Sequence, residues 1–185
     1  MDVVLYPDPR LRAPNDPIQE FGPELDALAR DMFEVMYRTE GVGLAAPQVG
    51  VNVRLLVFNP TGDPEARDQE RVLCNPRIVR SAREREFGRE GCLSFPGIYA
   101  EIERPVAVTI EALDLRGEPF TLELADWEAR IFQHEFDHLE GVLFIDRMRP
   151  VDKAAHRAAL EELVAAYRER RVAHPERARG PARPE

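Results

Sequence analysis

Gln133-His134-Glu135-Phe136-Asp137-His138-Leu139-Glu140-Gly141 decides how the rest of this chain is read. On a helix, a spacing of four puts His134 and His138 on one face about a turn apart, where two imidazoles converge on one ion. Glu135 then projects beside that ion, the place for a carboxylate that handles the proton of a metal-bound water. Catalytic sites of this kind take three protein ligands and keep one position open. The motif supplies two, so the third comes from elsewhere, and its identity sets the chemistry. Asp126 is placed to cap the start of the helix and Gly141 to end it. Trp127, Ile131, Phe132, Phe136 and Leu139 fall on more than one face, the pattern of a buried central helix. Polar groups on such a helix need partners, and a metal would satisfy the histidines.

The bulk properties set the frame for that helix. A chain of 185 residues, 44% hydrophobic and 32% charged with mean hydropathy −0.40, buries a core as one domain without disulfides. No apolar run reaches the length of a membrane span. The net charge of −9 argues against DNA or other nucleic acid as the main partner of the whole domain. The charge is uneven: residues 168–185 carry six Arg against three Glu. The first residues, Met1-Asp2-Val3-Val4-Leu5-Tyr6-Pro7, lack a basic stretch followed by an apolar one and are not rich in Arg and Ser, which predicts a cytoplasmic protein. Two cysteines make no disulfide framework, and Cys74, between Leu73 and Asn75-Pro76, reads as a packed thiol.

Along the chain, the Pro-rich residues 1–21 predict extended coil over the surface. Pro23 opens a helix over 23–39, whose stripe is Leu25, Leu28, Met32, Val35 and Met36. The glycines and proline of 41–50 predict a closely packed loop. Strands are expected over 53–59, 71–80 and 83–87, with an exposed acidic loop over 59–70. Alternation over 105–113, a turn over 114–118 and a return over 119–124 predict a hairpin. A last helix is expected over 152–171, with Ala159, Leu160, Leu163, Val164 and Tyr167 as its stripe. The fold class is α+β: antiparallel or mixed strands around the central motif helix, with one helix toward each end. We expect residues 1–172 to form a single catalytic domain and 173–185 a disordered Arg/Pro-rich tail.

Two candidates complete the ligand set. A downstream carboxylate, Glu161 or Glu162, would give the His-His-Glu set of thermolysin-like zinc peptidases. The upstream thiolate of Cys92 would give another enzyme. A solvated helix face accounts for Glu161 and Glu162. Cys92 sits in the Gly/Pro-framed stretch Glu90-Gly91-Cys92-Leu93-Ser94-Phe95-Pro96-Gly97 and is the better candidate.

Three stretches in this order resemble the peptide deformylase family: Gly41-Val42-Gly43-Leu44-Ala45-Ala46-Pro47-Gln48, Glu90-Gly91-Cys92-Leu93-Ser94 and Gln133-His134-Glu135-Phe136-Asp137-His138-Leu139. Pro7-Asp8-Pro9-Arg10-Leu11-Arg12 adds a fourth, and the resemblance spans residues 4–148. It implies a metal-dependent hydrolase that removes the N-formyl group from the initiator methionine of nascent polypeptides and releases formate. Cys92, His134 and His138 would then bind one divalent ion. Fe²⁺ is the physiological expectation, and Zn²⁺, Ni²⁺ or Co²⁺ suit the same donors. Metal-bound water would attack the formyl carbon, with Glu135 as general base and then acid. The oxyanion would meet the Leu93 backbone N–H and the Gln48 amide. Val42, Gly43, Leu44, Gly91 and Ile131 would bind the substrate, as if it added a strand. Glu90 and Arg104 would pair in support of the Cys92 loop. Phe95, Tyr99 and Trp127 are where rim or pocket differences are expected. The resemblance also implies work beside the ribosome, whose RNA the last helix and basic tail (Arg168, Arg170, Arg171, Arg177, Arg179) could contact through phosphates.

Overall fold

The computed structural model describes residues 1–173. Its strands are β1 (Gly43–Ala45), β2 (Leu55–Phe58), β3 (Arg71–Ser81), β4 (Arg85–Cys92), β5 (Phe95–Pro105), β6 (Ala107–Leu113) and β7 (Pro119–Ala125). Its helices are α1 (Pro23–Arg38), α2 (Asp126–Leu139), α3 (Phe144–Arg147), α4 (Pro150–Ala155) and α5 (Arg157–Ala173). This is a mixed α+β fold with antiparallel sheets. Five strands pair in the order β1-β2-β3-β6-β7, and β4 and β5 form a separate two-stranded ribbon.

The run Leu55-Leu56-Val57-Phe58 is apolar throughout because both faces of the sheet are covered there. Leu56 and Phe58 pack with Leu73, Ile110, Phe132 and Leu139, the last two from α2. Leu55 and Val57 point the other way, into a cluster with Met32, Val35 and Met36 of α1. A strand buried on both sides reads as a continuous apolar run instead of an alternating one. The third cluster joins Val4 and Leu11 of the N-terminal segment to Ile98 and Ile102 of β5 and Phe144 of α3, with Leu160 and Leu163 of α5 packed against it. The proline-rich start runs over the surface as expected, and Val4 and Leu11 anchor it to the core.

Three local expectations change. Asp126 does not cap α2 from outside. It is the first helical residue, with φ +49°, and no side chain caps that end. The other end is closed as Gly141 suggested. Gly141 lies at φ +68°, its N–H donates to the His138 carbonyl at 3.2 Å, and that of Val142 donates to Asp137 at 2.8 Å. That double closure satisfies carbonyls a helix end leaves open. The 59–70 connection is not simply an exposed loop, since Asn59 is fully buried. Its amide donates to the Tyr37 hydroxyl and to the Asp63 and Ala66 carbonyls, and its carbonyl oxygen accepts from Thr61. The expected single last helix is two, α4 and α5, which meet at His156.

The larger difference is the β4–β5 ribbon, of which only 83–87 had been expected as strand. Its register runs from Arg85 opposite Pro105 to Gly91 opposite Tyr99, then shifts so that Cys92 faces Phe95. Cys92 thus sits at the tip of a hairpin, not in a free loop. The expected disordered tail over 173–185 lies, from residue 174 onward, outside the described residues. Among the described residues no helix is long and apolar enough to cross a membrane.

Candidate metal centre and active site

Helix α2 presents His134 and His138 to the hairpin tip, and the ribbon lowers Cys92 onto them. One ligand atom from each lies within 4.8 Å of the others. Cys92 Sγ is 3.3 Å from His138 Nε2. His134 Nδ1 is 2.9 Å from Glu90 Oε2, an orientation that leaves Nε2 for an ion. The donor set, one thiolate and two imidazoles buried together beside a cavity, fits a divalent ion with an open position. Glu161 is elsewhere: it pairs with Arg157 at 2.8 Å on α5, and Glu162 is exposed beside it. The carboxylate alternative for the third ligand falls with that geometry.

Glu135 is 5% exposed, and its Oε2 has no hydrogen-bond partner. Burial is the main cause that raises its pKa to about 7, with Glu90 adding to it, against His134 and Arg104. A carboxyl that both takes and gives up a proton near neutrality follows from that position. Burial opposes charge on His134, but hydrogen bonds with Cys92 and Glu90 outweigh it and hold its pKa well above the ordinary value. Burial lowers that of His138, helped by the charges of His134 and Arg104. An ion entering the site therefore displaces a proton.

A cavity of about 680 Å³ opens beside these groups. Val42, Gly43, Gln48, Gly91, Leu93 and Ile131 all line it, so most of the expected site residues do converge. Leu44 does not: its side chain is fully buried against α1, and its backbone stands opposite Val57 in the sheet. Gln48 accepts from the Ala45 N–H at 2.8 Å through Oε1. This turns its Nε2 toward Cys92 Sγ at 3.6 Å and Ser94 Oγ at 3.5 Å. Phe95, Tyr99 and Trp127 belong to the same cavity. Phe95 is buried, while the other two stand half exposed at its rim, where Trp127 donates to the Pro60 carbonyl at 3.0 Å.

Behind the ligands lies a charged network larger than the expected Glu90–Arg104 pair. Arg104 grips Glu90 with Nε at 2.6 Å and a second nitrogen at 2.9 Å, and donates to Asp137 at 2.9 Å. Arg147 also donates twice to Asp137, and Arg130 donates to Glu90 at 2.9 Å. Burial resists the Glu90 charge, yet the hydrogen bonds from His134 and Arg104 bring its pKa down to about 2. Arg130, Asp137 and Arg147 were missed in the sequence. The one usable signal was that Arg130 stands four residues before His134, on the same helix face.

The sequence model of the family described as polypeptide deformylase matches residues 1–154. The chain belongs to the polypeptide deformylase family. Peptide deformylase 1B, chloroplastic/mitochondrial, of Arabidopsis thaliana is 52% identical over 170 residues, which is 92% of this chain and 62% of that relative. The peptide deformylase of Acinetobacter baumannii strain SDF is 39% identical over 173 residues, 94% of this chain and 97% of that one. The chain thus spans about three-fifths of the plant relative it matches and nearly all of this bacterial one. Among solved structures, the Plasmodium falciparum peptide deformylase superposes with TM-score 0.89 at 42% identity, covering 90% of this chain and 97% of that one. Arabidopsis thaliana peptide deformylase 1B in complex with an inhibitor gives TM-score 0.89 at 50% identity, covering 99% and 98%. Members of the deformylase family work with a divalent metal, and the Cys92, His134 and His138 cluster is where this chain can hold one.

Proposed function

We propose that this chain hydrolyses the formyl group from N-formylmethionyl nascent peptides and releases formate and a free amino terminus. One observation carries the reading: in a chain of this family, Cys92, His134 and His138 converge beside a buried Glu135, whose Oε2 has no hydrogen-bond partner, at an open cavity. A divalent ion on those three residues, Fe²⁺ in the cell by our reading, supplies Lewis-acid activation of water and of the formyl oxygen when bound. Glu135 takes a proton from the attacking water as it adds to the formyl carbon. It then returns that proton to the departing nitrogen as the C–N bond breaks. The Gln48 Nε2 amide and the Leu93 backbone N–H donate to the oxygen that gains negative charge, an effect worth about 3–4 kcal/mol per donor. The backbone around Val42 and Gly43 on one side and Gly91 on the other receives the peptide as an added strand. Ile131 offers an apolar wall for the methionine side chain.

Residues 1–172 act in this reading as one catalytic unit, because the N-terminal segment, the ribbon and α5 share one core cluster. Exposed Arg168, Arg170 and Arg171 on α5 offer a contact to ribosomal RNA. Arg177 and Arg179, assigned to the same role, lie outside the described residues. We place the activity in the cytoplasm, where chains emerge; the plant relatives are named for organelles, so fractionation of the source cells decides that point.

The test is direct. Protein prepared anaerobically with Fe²⁺ is assayed for formate release from a formyl-Met peptide beside its acetylated and unformylated counterparts. Release from the formylated peptide alone is expected. Metal-loaded protein that yields no formate overturns the reading.

A further inference from the structure

Arg130 sits on α2 one helical turn before His134, and both reach the same carboxylate. The carboxylate of Glu90 receives four donors. Oε1 accepts from Arg104 Nε at 2.6 Å and from an Arg130 guanidinium nitrogen at 2.9 Å. Oε2 accepts from Arg104 at 2.9 Å and lies 2.9 Å from His134 Nδ1. Two carboxylate oxygens offer about four acceptor positions, so Glu90 is saturated. The rest of the Arg130 fork goes to backbone on both strands of the ribbon: the Ile102 carbonyl on β5 at 2.9 Å, and the Glu86 carbonyl on β4 at 2.9 Å. The planar fork of arginine suits this spread of acceptors, which a lysine could not span.

Gly88 completes the arrangement. A Cβ there would lie 2.6 Å from Arg130 Cζ and 2.7 Å from its Nε. The guanidinium therefore occupies the space that a side chain at residue 88 would fill, and it keeps this seat between β4 and α2 because residue 88 has none. Cys92 is four residues further along the same strand. We infer that Arg130, seated on Gly88, is a positioning residue that sets how deeply the hairpin tip delivers Cys92 to His134 and His138. It touches no ligand atom itself. The inference rests on the metal-ligand assignment above, and metal binding tests it without any reference to deformylation.

The experiment measures Zn²⁺ dissociation constants by chelator competition and the cobalt–thiolate charge-transfer band of the Co²⁺-loaded protein. It compares the unaltered protein with Arg130→Ala, Arg130→Lys, Gly88→Ala and the double variant Gly88→Ala/Arg130→Ala. Arg130→Ala is expected to weaken Zn²⁺ about 10–100-fold, the usual effect of losing a residue that holds a metal ligand in place. It should also shift or weaken the band that reports the Cys92–metal bond. Arg130→Lys, which keeps the charge and loses the fork, should stay within about threefold of Arg130→Ala. Gly88→Ala should weaken binding in the same direction, and the double variant should be no worse than Arg130→Ala, because both changes undo one contact. Should Arg130→Ala fail to fold, Arg130→Lys and Gly88→Ala decide. Unchanged Zn²⁺ affinity and an unmoved band in the folded variants, full rescue by lysine, or additive effects in the double variant would each overturn the inference. A protein that binds Zn²⁺ as described but releases no formate leaves it standing and removes only the proposed activity.

Discussion

Gly43 on β1 and Glu135 on α2 lie so close that a Cβ on residue 43 would sit 2.6 Å from Glu135 Oε1 and 2.8 Å from its Cγ. The glycine is what lets the sheet edge and the carboxylate share one cavity wall. Gly43→Ala must push Glu135 aside. Displacing a reacting group by about an ångström costs on the order of a hundredfold. Formate release should fall by about that factor while the melting temperature moves by only a few degrees. Activity that survives intact would show that Glu135 has room to relax.

Glu135→Gln keeps the shape and removes the titrating group. Losing a positioned general base costs roughly 10²–10⁴-fold in kcat. Bound metal per chain should stay at the unaltered level, because Glu135 is not among the three clustered ligand residues. Parallel loss of metal and activity would mean that Glu135 holds the ion instead of moving the proton.

Much of this site was legible in the sequence, and what was not has a physical reason. Helix α1 and the β6–β7 hairpin have one buried face each, so their apolar periods stand out. Strand β4 buries only Glu90 and Cys92, which leaves no apolar alternation to read. Strand β5 does alternate, with Ile98, Ala100, Ile102 and Arg104 inward, but the last inward residue is a charged one. Arg104 is buried because Glu90 and Asp137 receive it, and no local pattern announces a partner 14 or 33 residues away. The three metal-ligand candidates were found because their chemistry is rare. Arg130 and Arg147 were missed because arginine on a helix normally faces water.

Arg104 is 4% exposed between Glu90 and Asp137. Arg104→Ala leaves two buried carboxylates short of a counter-charge, and breaking a buried pair from one side typically costs about 3–5 kcal/mol. The unfolding midpoint in denaturant should fall accordingly, and metal should be lost more readily because Glu90 also orients His134. Unchanged stability together with unchanged metal content would mean that Arg130 alone suffices for Glu90.

The two thiols should differ sharply. Cys74 is fully buried in β3, where burial, with a smaller contribution from Asp114, pushes its pKa to about 12. Cys92 lines the open cavity. Iodoacetamide on native, metal-stripped protein at pH 8 should label Cys92 and spare Cys74. Metal loading should protect Cys92, and denaturant should expose both. Peptide mapping by mass spectrometry reads each site. Labelling of Cys74 in the native state, or of Cys92 with metal bound, would contradict the placement.

Arg12 and Asp146 fasten the N-terminal segment to α3, away from the ligands. Arg12 donates to Asp146 Oδ2 at 2.7 Å and Oδ1 at 2.9 Å, and the Leu143 N–H donates to Oδ2 at 2.9 Å. Burial resists the Asp146 charge, but the Arg12 and Leu143 hydrogen bonds outweigh it and hold its pKa below 3.8. A folded pKa below the unfolded one gives stability that is present above the unfolded value and fades as pH falls through the folded one. The side chains are 44% and 33% exposed, so solvent screening keeps the ion pair itself under about 1 kcal/mol. The cap on Leu143 adds about 1 kcal/mol. Asp146→Ala should therefore lower the melting temperature by about 2–6 °C at pH 7. The gap to the unaltered protein should narrow as pH drops below about 4, where Asp146 begins to protonate in the unfolded chain. A gap that stays constant down to pH 3, or widens, would show that the contribution is packing and not charge.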